Sequence, residues 1–121
     1  MGKRIRSFQY AGRGIKKAFG SEVNIRIHLA IALCVIIAGV YLKITTIEWL
    51  LCLLCFGLVL GLEMMNTAIE KTVDLASPNL HPLAGSAKDI AAGGVLISAV
   101  MSAIIGIVIF APKIIDNLSI G

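Results

Sequence analysis

Charge is scarce in this sequence. Asp, Glu, Lys and Arg make up 15% of it, against 58% hydrophobic residues. A soluble domain of 121 residues has too little interior to hide that much apolar surface. The composition excludes that class and points to an integral membrane protein, with residues 1–121 as one domain. Cysteine is also rare, and Cys34, Cys52 and Cys55 all lie in apolar runs. The Cys52-x-x-Cys55 spacing has the form of a redox or zinc motif, but in these surroundings packing or lipid-facing thiols are the better reading. There is no phosphate-binding glycine loop of the P-loop type and no soluble-kinase signature. A cleavable signal peptide is not expected either, because the basic start is too long and no short apolar core with a cleavage site follows it.

What is present begins with a basic amphipathic stretch. Over residues 3–19, Ile5, Phe8, Gly12, Ile15 and Phe19 recur at helical spacing. Arg6, Arg13, Lys16 and Lys17 fall on the opposite arc with Lys3, Gln9 and Tyr10. Such a helix lies in a membrane surface over anionic lipids. Nucleic-acid binding is disfavoured by the apolar spans that follow. Gly20-Ser21 interrupts the pattern, and Ser21 is placed to cap the next helix.

Three apolar stretches are long enough to span a bilayer: residues 22–42, 47–75 and 84–111. Arg26 and His28 near the start of the first read as snorkelling or packing residues. Lys43 to Thr46 makes a short turn. Pro78 and Pro82 break the second helix from the third, and Ala111-Pro112 is expected to end the third. Gly94, Ser98, Ser102 and Gly106 repeat every four residues, a small-residue face suited to close packing or oligomerisation. Nine of the eleven basic residues share one side: Lys3, Arg4, Arg6, Arg13, Lys16, Lys17, Arg26, Lys71 and Lys88. Lys43 and Lys113 take the other. The positive-inside rule then puts the N-terminus in the cytoplasm and the C-terminus outside, in a multi-pass protein of the cell membrane.

One stretch resists a purely structural reading. Glu63, Asn66, Glu70 and Asp74 stand at i, i+3, i+7 and i+11, on one stripe of a helix. Glu63 lies ~21 Å along from Trp49, and Glu70 roughly 10 Å further. In a hydrocarbon core of ~30 Å, Glu63 is submerged and Glu70 reaches the far interface. A submerged carboxylate costs at least ~2.5 kcal/mol and marks function by default. Glu22 opens the first span at that same interface, and Lys88 and Asp89 open the third. Two carboxylates at one depth suit a hard cation such as Mg²⁺ together with phosphate oxygens. A lysine beside them suits phosphate. A carboxylate below them can act as a base.

Glu63-Met-Met-Asn66-Thr-Ala-Ile-Glu70-Lys-Thr-Val-Asp74 and His81-Pro-Leu-Ala-Gly-Ser-Ala-Lys88-Asp89-Ile-Ala-Ala-Gly-Gly-Val-Leu96 resemble the small integral-membrane lipid kinases of bacteria, the diacylglycerol and undecaprenol kinase family. The resemblance covers nearly the whole chain. It implies an all-α homotrimer, with one surface helix and three transmembrane helices per chain. By matching positions, Glu63 is the general base on the lipid hydroxyl, and Glu22 and Glu70 are ligands of the Mg²⁺ that accompanies ATP. Tyr10, Asn66, Asp74, Asn79, Leu80, His81, Lys88 and Asp89 line the nucleotide site with them. Lys3 stands where some members have arginine. Ala92 takes the place of a serine that contacts lipid in diacylglycerol kinases. That change, with the Asn66-Thr-Ala-Ile-Glu70 and His81-Pro-Leu-Ala runs, favours undecaprenol as acceptor; diacylglycerol, giving phosphatidic acid, is the alternative. A small channel or transporter is the competing class, but no broken mid-membrane helix supports it. A purely structural membrane subunit leaves Glu63 unexplained.

Overall fold

The computed structural model describes residues 2–120. Four helices account for nearly all of them: α1 (Gly2–Ser21), α2 (Val23–Leu42), α3 (Thr46–Ala76) and α4 (Pro82–Ile120), with no strand among the described residues. α2, α3 and residues Pro82–Ser119 of α4 are each long and apolar enough to cross a membrane. The protein is an all-helical membrane protein. Little of its apolar surface is covered within one chain: Phe8, Leu54 and Val108 are all exposed. In water that exposure is prohibitive; in lipid it is the expected outer face.

α1 runs two residues beyond the expected end. Gly20 and Ser21 continue it, and the chain breaks only at Glu22, whose backbone is extended (φ −102°, ψ 116°). Ser21 does not cap α2. Its hydroxyl donates to the Lys17 carbonyl at 2.7 Å, back into its own helix. Arg26 does not snorkel either. Its guanidinium donates to the Phe19 carbonyl at 3.2 Å and to that of Gly20, occupying carbonyls that the end of α1 leaves free. The surface helix is thereby tied to the start of α2. Only Ala18 of α1 is buried within the chain.

The turn between α2 and α3 is closed by backbone and cap together. Lys43 is left-handed (φ 53°), and the Ile44 amide donates to the Gly39 carbonyl at 3.1 Å. Thr45 then caps α3: its hydroxyl accepts from the Glu48 amide at 3.2 Å, and its own amide donates to Glu48 Oε1 at 2.9 Å. Trp49 lies so close to Gly39 that a Cβ there would sit 2.7 Å from the indole. Ile44, Cys52 and Ile109 bury one another nearby, flanked by Trp49, Phe56 and Phe110. The two cysteines of the C-x-x-C pair are free thiols, Cys52 buried and Cys55 half-buried.

α3 and α4 form the most extensive helix pair. They run antiparallel, joined at one end by Lys113 Nζ to Glu48 Oε1 (3.1 Å) and at the other by Lys88 Nζ to Asp74 Oδ1 (2.5 Å). α4 begins at Pro82 rather than Ala84, because proline fits the first helical position, where its missing amide has no partner to lose. α4 also continues through Pro112 to Ile120 instead of stopping there. A proline inside a helix removes one backbone hydrogen bond and crowds the preceding turn, but it does not forbid continuation. Here Lys113 anchors the segment just past it to α3. Of the four-residue ladder, Ser98 is buried, its hydroxyl turned to the Val95 carbonyl at 2.8 Å. A Cβ at Gly94 or Gly106 would meet nothing within 4 Å, so the ladder is not spent on close packing inside the chain at those two positions.

Candidate lipid-kinase active site

Glu63 lies on α3 and retains only 4% of its exposure. Its carboxylate faces α2. Asn24 Nδ2 donates to Oε1 at 3.4 Å, and His28 Nε2 lies 4.0 Å from Oε2. Thr67, also buried, sends its hydroxyl to the Glu63 backbone carbonyl at 3.0 Å. A turn later, buried Asn66 donates from Nδ2 to Glu70 Oε1 at 3.2 Å. The other end of that amide, Asn66 Oδ1, is buried without a hydrogen-bond partner. Asp74 continues the stripe and holds Lys88 of α4. The periodicity read from the sequence is thus realised as one polar line down α3, buried at Glu63 and open at Asp74.

An unpartnered buried carbonyl oxygen is costly, about 1–3 kcal/mol, and its presence asks for a ligand. Its neighbour is a carboxylate, so the local donors are hard oxygens. Among the described residues no three His, Cys, Asp or Glu side chains gather into a metal cage. Oxygen donors such as Asn66 Oδ1 and the Glu70 carboxylate are of the kind that Mg²⁺ takes, one or two carboxylates together with substrate phosphates.

The remaining predicted residues make no side-chain bond to this line within the single chain, among the described residues. Among the described residues no hydrogen bond or ion pair links Tyr10, Glu22, Leu80 or Asp89 to α3. Tyr10 is exposed, with the Arg13 guanidinium 5.5 Å over its ring. Glu22 occupies the break between α1 and α2, and its side chain makes no cap bond. The Asn79 carbonyl accepts from Ser77 Oγ at 3.0 Å. His81 caps α4, its Nδ1 accepting from the Leu83 amide at 3.1 Å, which makes Nε2 the N–H of the neutral ring. Leu80 is fully exposed, and Ala92, one turn beyond Lys88, is exposed as well.

Sequence reasoning passed over Asn24 and took His28 for a packing or snorkelling residue. Both face Glu63. Their spacing of four along α2 was the available signal, since it sets them on one face. His28 also stands at the head of an apolar groove of about 260 Å³ between α2, α3 and α4, lined by Val35, Cys52, Val59, Ala99 and Phe110. Glu63 thus has polar side chains toward one end of the bundle and an apolar groove beside it.

Residues 9–110 match the family model described as prokaryotic diacylglycerol kinase. The chain is 47% identical over 110 residues to an undecaprenol kinase of Bacillus subtilis, covering 91% of this chain and 89% of that one. It is 39% identical over 111 residues to a diacylglycerol kinase of Synechocystis, covering 91% of this chain but 63% of the longer relative. A diacylglycerol kinase of Haemophilus influenzae is 36% identical over 104 residues, 86% of each chain. With a match across most of its length and a relative of nearly equal extent, the chain belongs to the prokaryotic diacylglycerol kinase family.

Proposed function

We propose that the protein is an ATP-dependent lipid kinase that phosphorylates undecaprenol at the cytoplasmic face of the membrane. The observation that carries the proposal is Glu63: a buried carboxylate between a polar stripe open to water and an apolar groove. ATP arrives from water and a long-chain alcohol from lipid, so the two meet only at such a level. Undecaprenol is favoured over diacylglycerol by the higher identity to the undecaprenol kinase and by Ala92, which offers no side-chain hydrogen bond to a second lipid hydroxyl.

In this reading Glu63 takes the proton of the lipid hydroxyl. The oxygen so freed attacks the γ-phosphorus of ATP, and the γ-phosphoryl group leaves ADP for the lipid. Lys88, steadied by Asp74, faces the phosphates and offsets their charge. Tyr10, Asn66, Asn79, Leu80, His81 and Asp89 complete the nucleotide site. Glu22 and Glu70 would hold Mg²⁺, with Asn66 Oδ1 as the adjacent oxygen. When bound, that ion supplies charge neutralisation on the phosphate oxygens. The basic asymmetry of the sequence supports a cytoplasmic N-terminus in the bacterial inner membrane. The free space at Gly94 and Gly106 supports close helix contact with another copy, and the family resemblance is what makes the copies three.

The test is a phosphorylation assay in mixed micelles, with undecaprenol and diacylglycerol offered separately. A higher kcat/KM for undecaprenol is expected. A clear preference for diacylglycerol reverses the choice of acceptor, and ATP turnover indifferent to added lipid removes the kinase reading.

A further inference from the structure

Glu63 sits among polar groups that are nearly all committed elsewhere. Thr67 donates to its backbone carbonyl and not to its carboxylate. Asn66 donates to Glu70. Ser98, buried on α4, donates to the Val95 carbonyl. The cations are committed too: Arg26 serves the carbonyls at the end of α1, and Lys88 serves Asp74. A carboxylate this deeply buried is unstable as an anion unless donors face it. Among the described residues the donors that do so are Asn24 and His28, one turn apart on α2.

They divide the carboxylate between them. Asn24 addresses Oε1 at 3.4 Å, and His28 Nε2 stands 4.0 Å from Oε2. The second distance is too long for a direct hydrogen bond, so the imidazole flanks Oε2 without bonding it. It also leaves Oε2 less engaged than Oε1. A base needs one oxygen fixed and the other free to receive a proton. His28 borders the apolar groove as well, so Oε2 is on the side from which a lipid chain would present its hydroxyl.

We infer that Asn24 and His28 are positioning residues for Glu63: α2 fixes the orientation of the α3 carboxylate and aims Oε2 at the acceptor hydroxyl. This inference rests on the reading of Glu63 as the base. It assigns α2 a part in turnover beyond spanning the membrane, and it makes the packing of α2 against α3 a determinant of rate.

A double-mutant cycle in undecaprenol micelles tests it. His28→Ala and Asn24→Ala are made singly, each in the wild-type and in the Glu63→Gln background, with kcat and the KM for MgATP measured in every case. A hydrogen bond to a carboxylate is worth about 1.5–3 kcal/mol, so Asn24→Ala should lower kcat roughly tenfold to a hundredfold, and His28→Ala, whose imidazole flanks the carboxylate without bonding it, roughly threefold to tenfold. The KM for MgATP should stay within about twofold, since neither residue reaches the nucleotide in this reading. In the Glu63→Gln background both effects should vanish, because there is no longer a carboxylate to position. His28→Gln, which keeps an N–H donor on a side chain of similar reach, should recover most of the loss and controls for a folding defect in the alanine variant. Near-normal kcat in His28→Ala and Asn24→Ala overturns the inference. So does a loss of equal size in both backgrounds, or a His28→Gln variant no better than His28→Ala. If Glu63→Gln itself retains near-normal turnover, the base reading fails and takes the inference with it; the two failures are therefore distinguishable.

Discussion

Replacing Asn66 by alanine should leave the fold intact and weaken turnover through the metal. The side chain makes one bond, from Nδ2 to Glu70 Oε1 at 3.2 Å. Losing a hydrogen bond to a charged acceptor costs about 1.5–3 kcal/mol. Its Oδ1 is buried with no partner. Removing an orphaned buried polar atom returns about 1–3 kcal/mol. The two terms nearly cancel, leaving a net change within about 1 kcal/mol of zero. That corresponds to a Tm shift of about 4 °C or less for a chain of this size. Function should respond differently. In the proposed site Asn66 orients Glu70 as a metal ligand, and removing such a residue typically costs about 10–100-fold in metal affinity. The Mg²⁺ concentration for half-maximal turnover should rise by roughly that factor. The assay is a Mg²⁺ titration of lipid phosphorylation, run beside a thermal melt in detergent without nucleotide. An unchanged Mg²⁺ requirement refutes the placing of Asn66 beside the metal. A much larger drop in Tm, with normal Mg²⁺ dependence, makes Asn66 a structural residue whose carbonyl is satisfied by a neighbouring copy.

Three further outcomes are expected. Gly39→Ala should destabilise by about 1–3 kcal/mol, since the new Cβ would lie 2.7 and 2.9 Å from Trp49 ring carbons and 3.1 Å from Ile44 Cδ1; a thermal melt in detergent checks it, and Trp49→Phe in the same chain should restore part of the loss. Lys43→Gly should stabilise by roughly 1 kcal/mol, because Lys43 holds a left-handed backbone (φ 53°) that glycine adopts freely; an unchanged or lower Tm counts against it. A cysteine placed at Ser119 in a background without Cys34, Cys52 and Cys55 should react with an impermeant thiol reagent on intact cells; protection until the cells are permeabilised would invert the topology.

The parts of this protein legible in its sequence are those governed by period and by cost. Glu63 announces itself because a charge in an apolar run has few structural excuses. Asn66, Glu70 and Asp74 follow from it by helical spacing alone, and α3 puts them on one line. The spans follow from apolar length. What escaped was decided between elements. The donors to Glu63 lie on another helix, 35 and 39 residues earlier in the chain; their spacing of four sets them on one face of α2, but nothing local says what that face meets. Ser21 has the residue type of a cap but bonds backwards, while Glu22 takes the break. Pro112 has the residue type of a stop but lies inside α4, with Lys113 reaching across to α3. In each case the local preference was real and weaker than a partner elsewhere.

The single oxygen Glu48 Oε1 receives both the Thr45 amide and the Lys113 ammonium. It therefore fastens the α2–α3 turn and the distal part of α4 at one point. The buried cluster of Ile44, Cys52 and Ile109 sits against the same turn, and Trp49 is pressed on Gly39 there. The opposite end of the α3–α4 pair carries the short connection 77–81 and the ion pair of Asp74 with Lys88, partly open to water. The α3–α4 pair is thus tied at both ends, by the Glu48 junction at the pole remote from Glu63 and by the 77–81 connection with its exposed ion pair at the other. In the proposed reading the nucleotide enters and leaves at the second of these ends, where the side-chain tie that must yield is already shared with water, while the less exposed junction at Glu48 keeps the bundle together.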